Sequence, residues 1–212
     1  MTLQDKLDDI TAQTRNLVQP ERLELSERSI ADLFASGIEE KLLKPGDAAP
    51  AFALPDANGK LVRSGDLLAL GPLVVCFFRG RWCPYCVTEL ETWRDLFPSL
   101  RKRGALLVAI SPQTVRQNDF TVTQHMLPFP LLRDEGAATA AEFGAAYPVA
   151  AAMQGYYRSI LVNIPFINGE QSWRLPVPAT FIIDQNGVVR WSQGHADFRV
   201  RPEPSEVLKL LG

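Results

Sequence analysis

The tightest constraint on this chain is a junction. Leu73-Val74-Val75-Cys76-Phe77-Phe78 is an unbroken apolar run with the length of a buried strand, and it stops at Arg79-Gly80-Arg81, where the backbone must turn. Beyond the turn stands Trp82-Cys83-Pro84-Tyr85-Cys86, after which Val87, Leu90, Trp93, Leu96 and Phe97 recur at helical spacing. Pro84 suits the first helical position, where its missing N–H would have no partner. Cys83 is therefore expected as the N-cap and Cys86 as the third helical residue, with both sulfurs on one face.

A thiol at a helix N-terminus meets free backbone N–H groups and the positive end of the helix dipole, which favour thiolate. Arg79 and Arg81 add to that field. Cys83 is expected to be the low-pKa nucleophile, and Cys86 to attack a mixed disulfide on Cys83 and release the product. Three plainer readings compete. A structural disulfide fits poorly with a chain of only three cysteines and no sign of secretion. Half of a zinc site would need a second ligand pair, and the other soft ligands are Cys76, inside a strand, and the separate His125 and His195. Inert buried thiols do not explain the turn, the helix start and the flanking arginines together. Cys76 itself, within a buried strand, is expected to behave as a small hydrophobe and take no part.

With 212 residues, 46% of them hydrophobic, the chain can bury one large core. A net charge of −2 with both signs interspersed gives no basic patch for nucleic acid and no polybasic membrane tract. The amphipathic, charged start Met1-Thr2-Leu3-Gln4-Asp5-Lys6-Leu7 lacks the apolar centre of a signal peptide, so a cytoplasmic location is expected. In that reducing compartment a Cys-x-x-Cys pair is more often catalytic than structural.

Residues 3–18 and about 21–36 have helical patterns, divided by Pro20 and stopped at Gly37. They form an N-terminal helical extension over 1–43 that either packs on the main domain or mediates a homodimer. A β-hairpin follows around Asp56-Ala57-Asn58-Gly59, and Ser64 is expected to cap a short helix through Leu70. Ala105–Ile110 reads as a second buried strand, parallel to the first across the long helix, and Ser111-Pro112 ends it near the cysteines, with Gln113 expected either close to the site or in a solvated cap. Further elements are a helix over Val115–Met126, a short strand at Pro130–Leu132, a helix over Glu135–Phe143, a hairpin at Ala179–Ile183 and Val188–Trp191, and a last helix over Glu203–Leu211. His125 is expected at a helix end with no acid beside it, and His195 as a locally hydrogen-bonded residue next to Asp197. Tyr147–Trp173 is the least legible stretch; its Tyr156, Tyr157, Phe166 and Trp173 offer large surfaces that either wall the active site, meet a partner or pack in the core, which is the default for each.

Three segments resemble the peroxiredoxin-like branch of the AhpC/TSA family, within the thioredoxin superfamily. They are Lys44-Pro45-Gly46-Asp47-Ala48-Ala49-Pro50-Ala51-Phe52, Phe77-Phe78-Arg79-Gly80-Arg81-Trp82-Cys83-Pro84-Tyr85-Cys86 and Leu175-Pro176-Val177-Pro178-Ala179-Thr180-Phe181-Ile182-Ile183-Asp184. The resemblance implies an α/β, thioredoxin-like fold over 44–212, with a central mixed sheet flanked by helices. It implies a thiol-dependent antioxidant oxidoreductase, reducing hydroperoxides through a reversible Cys83–Cys86 disulfide with an external dithiol reductant such as a thioredoxin or glutaredoxin system. No nucleotide, flavin or haem signature is present. Aligned through Thr88-Glu89-Leu90, Cys86 takes the family's peroxidatic position. The family's supporting hydroxyl, proline and arginine fall on Cys83, Arg79 and Pro178. All three have changed.

Trp82-Cys83-Pro84-Tyr85-Cys86 with Pro178 before Thr180 instead resembles the thioredoxin arrangement, in which a cis-proline faces the cysteine pair; Val177–Pro178 is accordingly expected to be cis. Arg79, Arg81, Trp82, Pro84, Pro178 and Thr180 are the expected supporting residues. The alternatives to a peroxidase are a thiol–disulfide reductase acting on a disulfide substrate and a non-catalytic binding module on the same fold.

Overall fold

The computed structural model describes residues 1–211. The chain opens with helix α1 (Leu3–Leu17), α2 (Pro20–Ala35) and the short α3 (Ile38–Lys41). A hairpin of β1 (Ala53–Pro55) and β2 (Leu61–Arg63) and the short α4 (Ser64–Leu68) lead into β3 (Leu73–Phe77). Then come α5 (Pro84–Lys102), β4 (Leu106–Ser111), α6 (Val115–His125), β5 (Leu131–Arg133) and α7 (Ala138–Glu142). β6 (Ala146–Pro148), α8 (Ala151–Ser159), α9 (Ile164–Asn168) and β7 (Arg174–Pro176) precede the closing β8 (Ala179–Ile183), β9 (Val189–Gly194) and α10 (Pro204–Lys209).

The main sheet has five strands in the order β5-β4-β3-β8-β9. β3 lies parallel to β4 and antiparallel to β8, so the sheet is mixed, as expected, and α5 makes the crossover that parallel neighbours require. Every residue of β3 is buried, with side chains alternating between two cores. Val74 and Cys76 join Phe78, Cys83, Cys86, Leu90 and Trp93 on the α5 side. Leu73, Val75 and Phe77 pack on the other side with Phe143 and Phe181. The cysteine pair thus sits at one end of the first core.

Helix α1 belongs to that core. Thr2 and Asp5 form a capping box, and Leu3 and Leu7 are buried against the α5 side. Leu3 N–H donates to Glu203 Oε2 at 2.7 Å, tying the start of α1 to the segment before α10. Helix α2 has no fully buried residue and crosses the segment around α8, with Leu25 against the cluster of Val149, Met153, Tyr157 and Trp173. Its Glu27 pairs with Arg199 at 2.5 Å. These helices pack on the main domain.

Several local expectations are corrected. Ser64 is the first residue of α4 rather than its cap, because its hydroxyl accepts the Phe52 N–H at 3.0 Å. The helix expected over Glu135–Phe143 is broken: a 3-10 turn at Glu135–Ala137, with Gly136 at φ 64° and Ala137 at φ 54°, precedes α7. The Val177–Pro178 bond is trans, as are all peptide bonds among the described residues. Val177 runs from the β6–β7 ribbon straight into β8 and donates its N–H to Ala145 O, a path the favoured trans isomer serves.

Candidate active site at the start of helix α5

The loop after β3 is shaped by two residues. Gly80 has φ +145°, and a Cβ there would lie 2.6 Å from Trp82 Nε1, so only glycine fits beside the indole. Gln113, fully buried beyond the end of β4, accepts the Arg81 N–H at 2.9 Å and donates to Asn118 Oδ1 at 2.8 Å and Thr121 Oγ1 at 3.2 Å. The expected position of Gln113 near the cysteines is therefore realised, as a brace of the loop. Cys83 is the N-cap of α5 and Pro84 its first residue, as the sequence predicts. Cys83 N–H donates to Gly80 O at 3.1 Å, while Cys83 O accepts from Cys86 N at 3.0 Å and Val87 N at 3.1 Å. The Cys83 side chain caps no backbone N–H.

The donors converge on the other sulfur. Cys86 Sγ accepts the Arg79 backbone N–H at 3.5 Å and Arg201 Nη2 at 3.3 Å. Burial opposes its ionisation, but a hydrogen bond from the Cys83 thiol and the charges of Arg201 and Arg79 outweigh that and hold the Cys86 thiol well below its ordinary range. Burial pushes Cys83 well up, and donating its proton to Cys86 pushes it further. The donors and charges thus favour the thiolate at Cys86, where the sequence reading favours Cys83. Charge balance gives the same result. Arg79 and Arg201 are buried cations and Glu89 is the buried carboxylate beside them, paired with Arg201. An ionised Cys86 restores neutrality in a medium where an unpaired charge is costly.

Glu89 holds Arg201 in place and accepts from Cys76 Sγ at 3.6 Å through its other oxygen. Burial, chiefly, raises the Glu89 carboxyl. Arg201 is fixed further by Phe198 O, which accepts from Nε at 3.0 Å and Nη2 at 2.9 Å. Burial likewise raises the Cys76 thiol well above its ordinary value.

Arg79 is 2% exposed and has no carboxylate partner among the described residues. Its Nη2 donates to Tyr157 Oη. Its guanidinium lies 4.8 Å from the Trp82 ring centroid and 4.2 Å from that of Phe198, an aromatic enclosure suited to a cation. Arg81 turns to Phe120, its guanidinium 4.3 Å over the ring, and makes no hydrogen bond to either sulfur. Thr180 stands opposite Cys76 in the β3–β8 register, and Pro178 is absent from the wall of the pocket beside Cys83.

That pocket, about 210 Å³, is lined by Arg79, Trp82, Cys83, Pro84, Tyr85, Tyr156, Tyr157 and Phe198, with α1 and α2 forming its outer rim. Cys83 is in its wall and Cys86 lies behind. The histidines are elsewhere. His125 Nδ1 pairs with Glu91 at 3.0 Å, an acid that sequence reading overlooked, and His195 is locally bonded as expected, its Nε2 3.4 Å from Gln193 Nε2 and its Nδ1 3.4 Å from Glu39. Among the described residues no cluster of His, Cys, Asp or Glu is placed to hold a metal ion.

Sequence reading missed two residues of this site. Glu89 carried a signal, an acid one helical turn after Cys86 on the buried face. Arg201 carried none, since it comes from an irregular stretch, whereas Tyr157 is one of the aromatic residues read as able to wall the site.

A redox-type dithiol at the start of the helix that follows the central strand of a mixed sheet defines the thioredoxin-like class. The chain belongs within it to the AhpC/TSA family, whose family model matches residues 45–192. Among curated relatives, Peroxiredoxin Q of Sedum lineare is 28% identical over 181 residues, covering 85% of this chain and 84% of that protein. Peroxiredoxin Q of Oryza sativa subsp. japonica is 29% identical over 166 residues, 78% of this chain, and the match spans 65% of the rice protein's length. Among solved structures, Peroxidoxin BcpB from Mycobacterium tuberculosis matches with a TM-score of 0.63 at 25% identity, over 80% of this chain and 96% of that one. Peroxiredoxin Q of Xanthomonas campestris has the same fold, with a TM-score of 0.59 at 21% identity, over 80% and 94% of the two chains.

Proposed function

We propose that the protein is a thiol peroxidase that reduces hydroperoxides at Cys86, with Cys83 as the resolving thiol. The observation that carries this is the pair of donors on Cys86 Sγ, the Arg79 N–H and the Arg201 guanidinium. Arg201 supplies in space the arginine that is absent at position 178. The Cys86 thiolate attacks the terminal oxygen of the hydroperoxide; the S–O bond forms, the O–O bond breaks, and the leaving oxygen takes a proton to become an alcohol or water. Cys83, as thiolate, then attacks the Cys86 sulfenic acid, forming the disulfide and expelling hydroxide, which is protonated to water. An external dithiol returns two electrons and two protons. The relatives named peroxiredoxin, and the family itself, support the reaction class. A reducing compartment, as the cytosol is, suits this cycle.

The test is sulfenic acid trapping followed by mass spectrometry on single-cysteine variants. Cys83→Ser should give a peroxide-dependent adduct on Cys86 at a rate well above that of a free thiolate, and Cys86→Ser should give none on Cys83 above that rate. The opposite pattern refutes the assignment. A second reading is favoured by one observation: Cys83, not Cys86, lines the pocket. In that reading Cys83 attacks a disulfide substrate and Cys86 resolves, and the same variants would show mixed disulfides only on Cys83.

A further inference from the structure

Tyr157 belongs to α8, in the stretch the sequence left undecoded, yet its side chain reaches the cysteine site. It is 5% exposed, its ring meets that of Trp82 edge-on at 5.1 Å, and it lines the pocket together with Cys83 and Arg79. Its oxygen accepts a hydrogen bond from Arg79 Nη2. A phenol that accepts from a guanidinium keeps its own hydrogen, and among the described residues no protein acceptor receives it.

The surroundings are short of acceptors. Among the described residues, Arg79 Nε and Trp82 Nε1 are buried N–H donors with no protein acceptor, and no carboxylate pairs with Arg79. Orphaned buried donors each cost about 1–3 kcal/mol. Tyr157, in the pocket wall, thus carries a hydroxyl hydrogen with no protein acceptor, which suits a ligand that presents oxygen lone pairs and gains negative charge as it reacts. Burial, partly offset by Arg79, keeps the Tyr157 phenol protonated, so it remains a donor throughout the neutral pH range.

We propose that Tyr157 is the proton donor to the leaving oxygen when the O–O bond of the hydroperoxide breaks, with Arg79 holding the phenol and stabilising the phenolate that results. This rests on the peroxidase reading. The S–O bond forms as the O–O pair passes to the leaving oxygen, which takes the Tyr157 proton and departs as alcohol or water. The phenolate then takes the Cys83 thiol proton. The Cys83 thiolate so formed attacks the Cys86 sulfenic acid, and the expelled hydroxide is protonated by solvent. One tyrosine therefore links the reduction step to resolution.

The experiment compares wild-type and Tyr157→Phe proteins, the latter keeping the ring against Trp82. Each is reduced and mixed in a stopped-flow instrument with hydrogen peroxide, tert-butyl hydroperoxide and peracetic acid, with the thiolate absorbance near 240 nm recorded against pH. Acetate leaves without needing a proton, whereas hydroxide and tert-butoxide do not. The ratio of hydroperoxide to peracid rate constants should fall roughly a hundredfold in the variant, within the usual range for a general acid. Equal slowing on all three oxidants, or no slowing, overturns the proposal, because a residue that only supports packing or the thiolate acts on every oxidant alike. If the wild-type protein itself reacts with hydroperoxides no faster than a free thiolate, the peroxidase reading fails and this one with it. A fast wild type with an unchanged ratio sinks this one alone.

Discussion

Among the described residues, Arg201 is the one cation whose side chain donates directly to Cys86 Sγ, at 3.3 Å, and both groups are buried. A hydrogen bond to a charged group contributes about 1.5–3 kcal/mol, which corresponds to roughly a tenfold to hundredfold change in the ionisation constant of the thiol. Arg201→Met alone would strand Glu89, and breaking a buried pair costs about 3–5 kcal/mol, enough to unfold a marginal domain. The informative protein is therefore Arg201→Met with Glu89→Gln, which removes both charges and leaves an acceptor for Cys76. It should fold, and its Cys86 should ionise at clearly higher pH, read from 240-nm absorbance and from the pH dependence of alkylation by iodoacetamide. Because a stabilised thiolate favours the reduced form, the Cys83–Cys86 couple should also become more reducing, by about 30 mV for each 1.4 kcal/mol lost. An ionisation curve matching wild type would refute the view that this contact sets the thiolate.

Cys76→Ala should leave peroxide turnover intact and cost about 1 kcal/mol in a denaturant titration, since the thiol only fills core and donates a weak bond to Glu89. Gly80→Ala should destabilise by at least about 1 kcal/mol and displace Trp82, detectable by thermal melting and by slower thiol oxidation, because its Cβ would meet Trp82 Nε1 at 2.6 Å. Relative to Cys86→Ser, the reduced wild-type protein should gain stability as pH rises towards the ordinary thiol value of about 8.5 and lose that gain as pH falls through the depressed Cys86 ionisation. Urea titrations at several pH values check this, and a flat difference would contradict an ionised Cys86. Leu7→Ala, in the core shared with the cysteines, should cost about 2–5 kcal/mol in the same titration.

The junction from Leu73 to Phe97 was legible because each of its signals is local: an apolar run, a glycine turn, a proline at the first helical position and a helical period. Which thiol ionises was not. The dipole argument correctly placed Cys83 at the N-cap, but a side chain there receives nothing unless a backbone N–H points at it, and the Arg79 N–H points at Cys86. The decisive guanidinium comes from 115 residues further along, in the irregular Phe198-Arg199-Val200-Arg201 segment, where no period or spacing marks it. Similarly, Pro178 matched a motif in sequence, but its peptide geometry depends on the β6–β7 ribbon that feeds it. The broken helix at Gly136 shows the converse case, a local breaker that a helical pattern masked.

The thread from Arg201 to Cys86, closed beside the bond from Leu3 N–H to Glu203, also has a consequence for the order of assembly. Neither contact can form until the chain between its two ends has been made and folded, and such long closures come late because their entropy must be met first. Until then Cys86 lacks the Arg201 donor, one of the influences that favour its thiolate. Ionisation at Cys86 therefore draws in part on a contact that only the closed topology supplies.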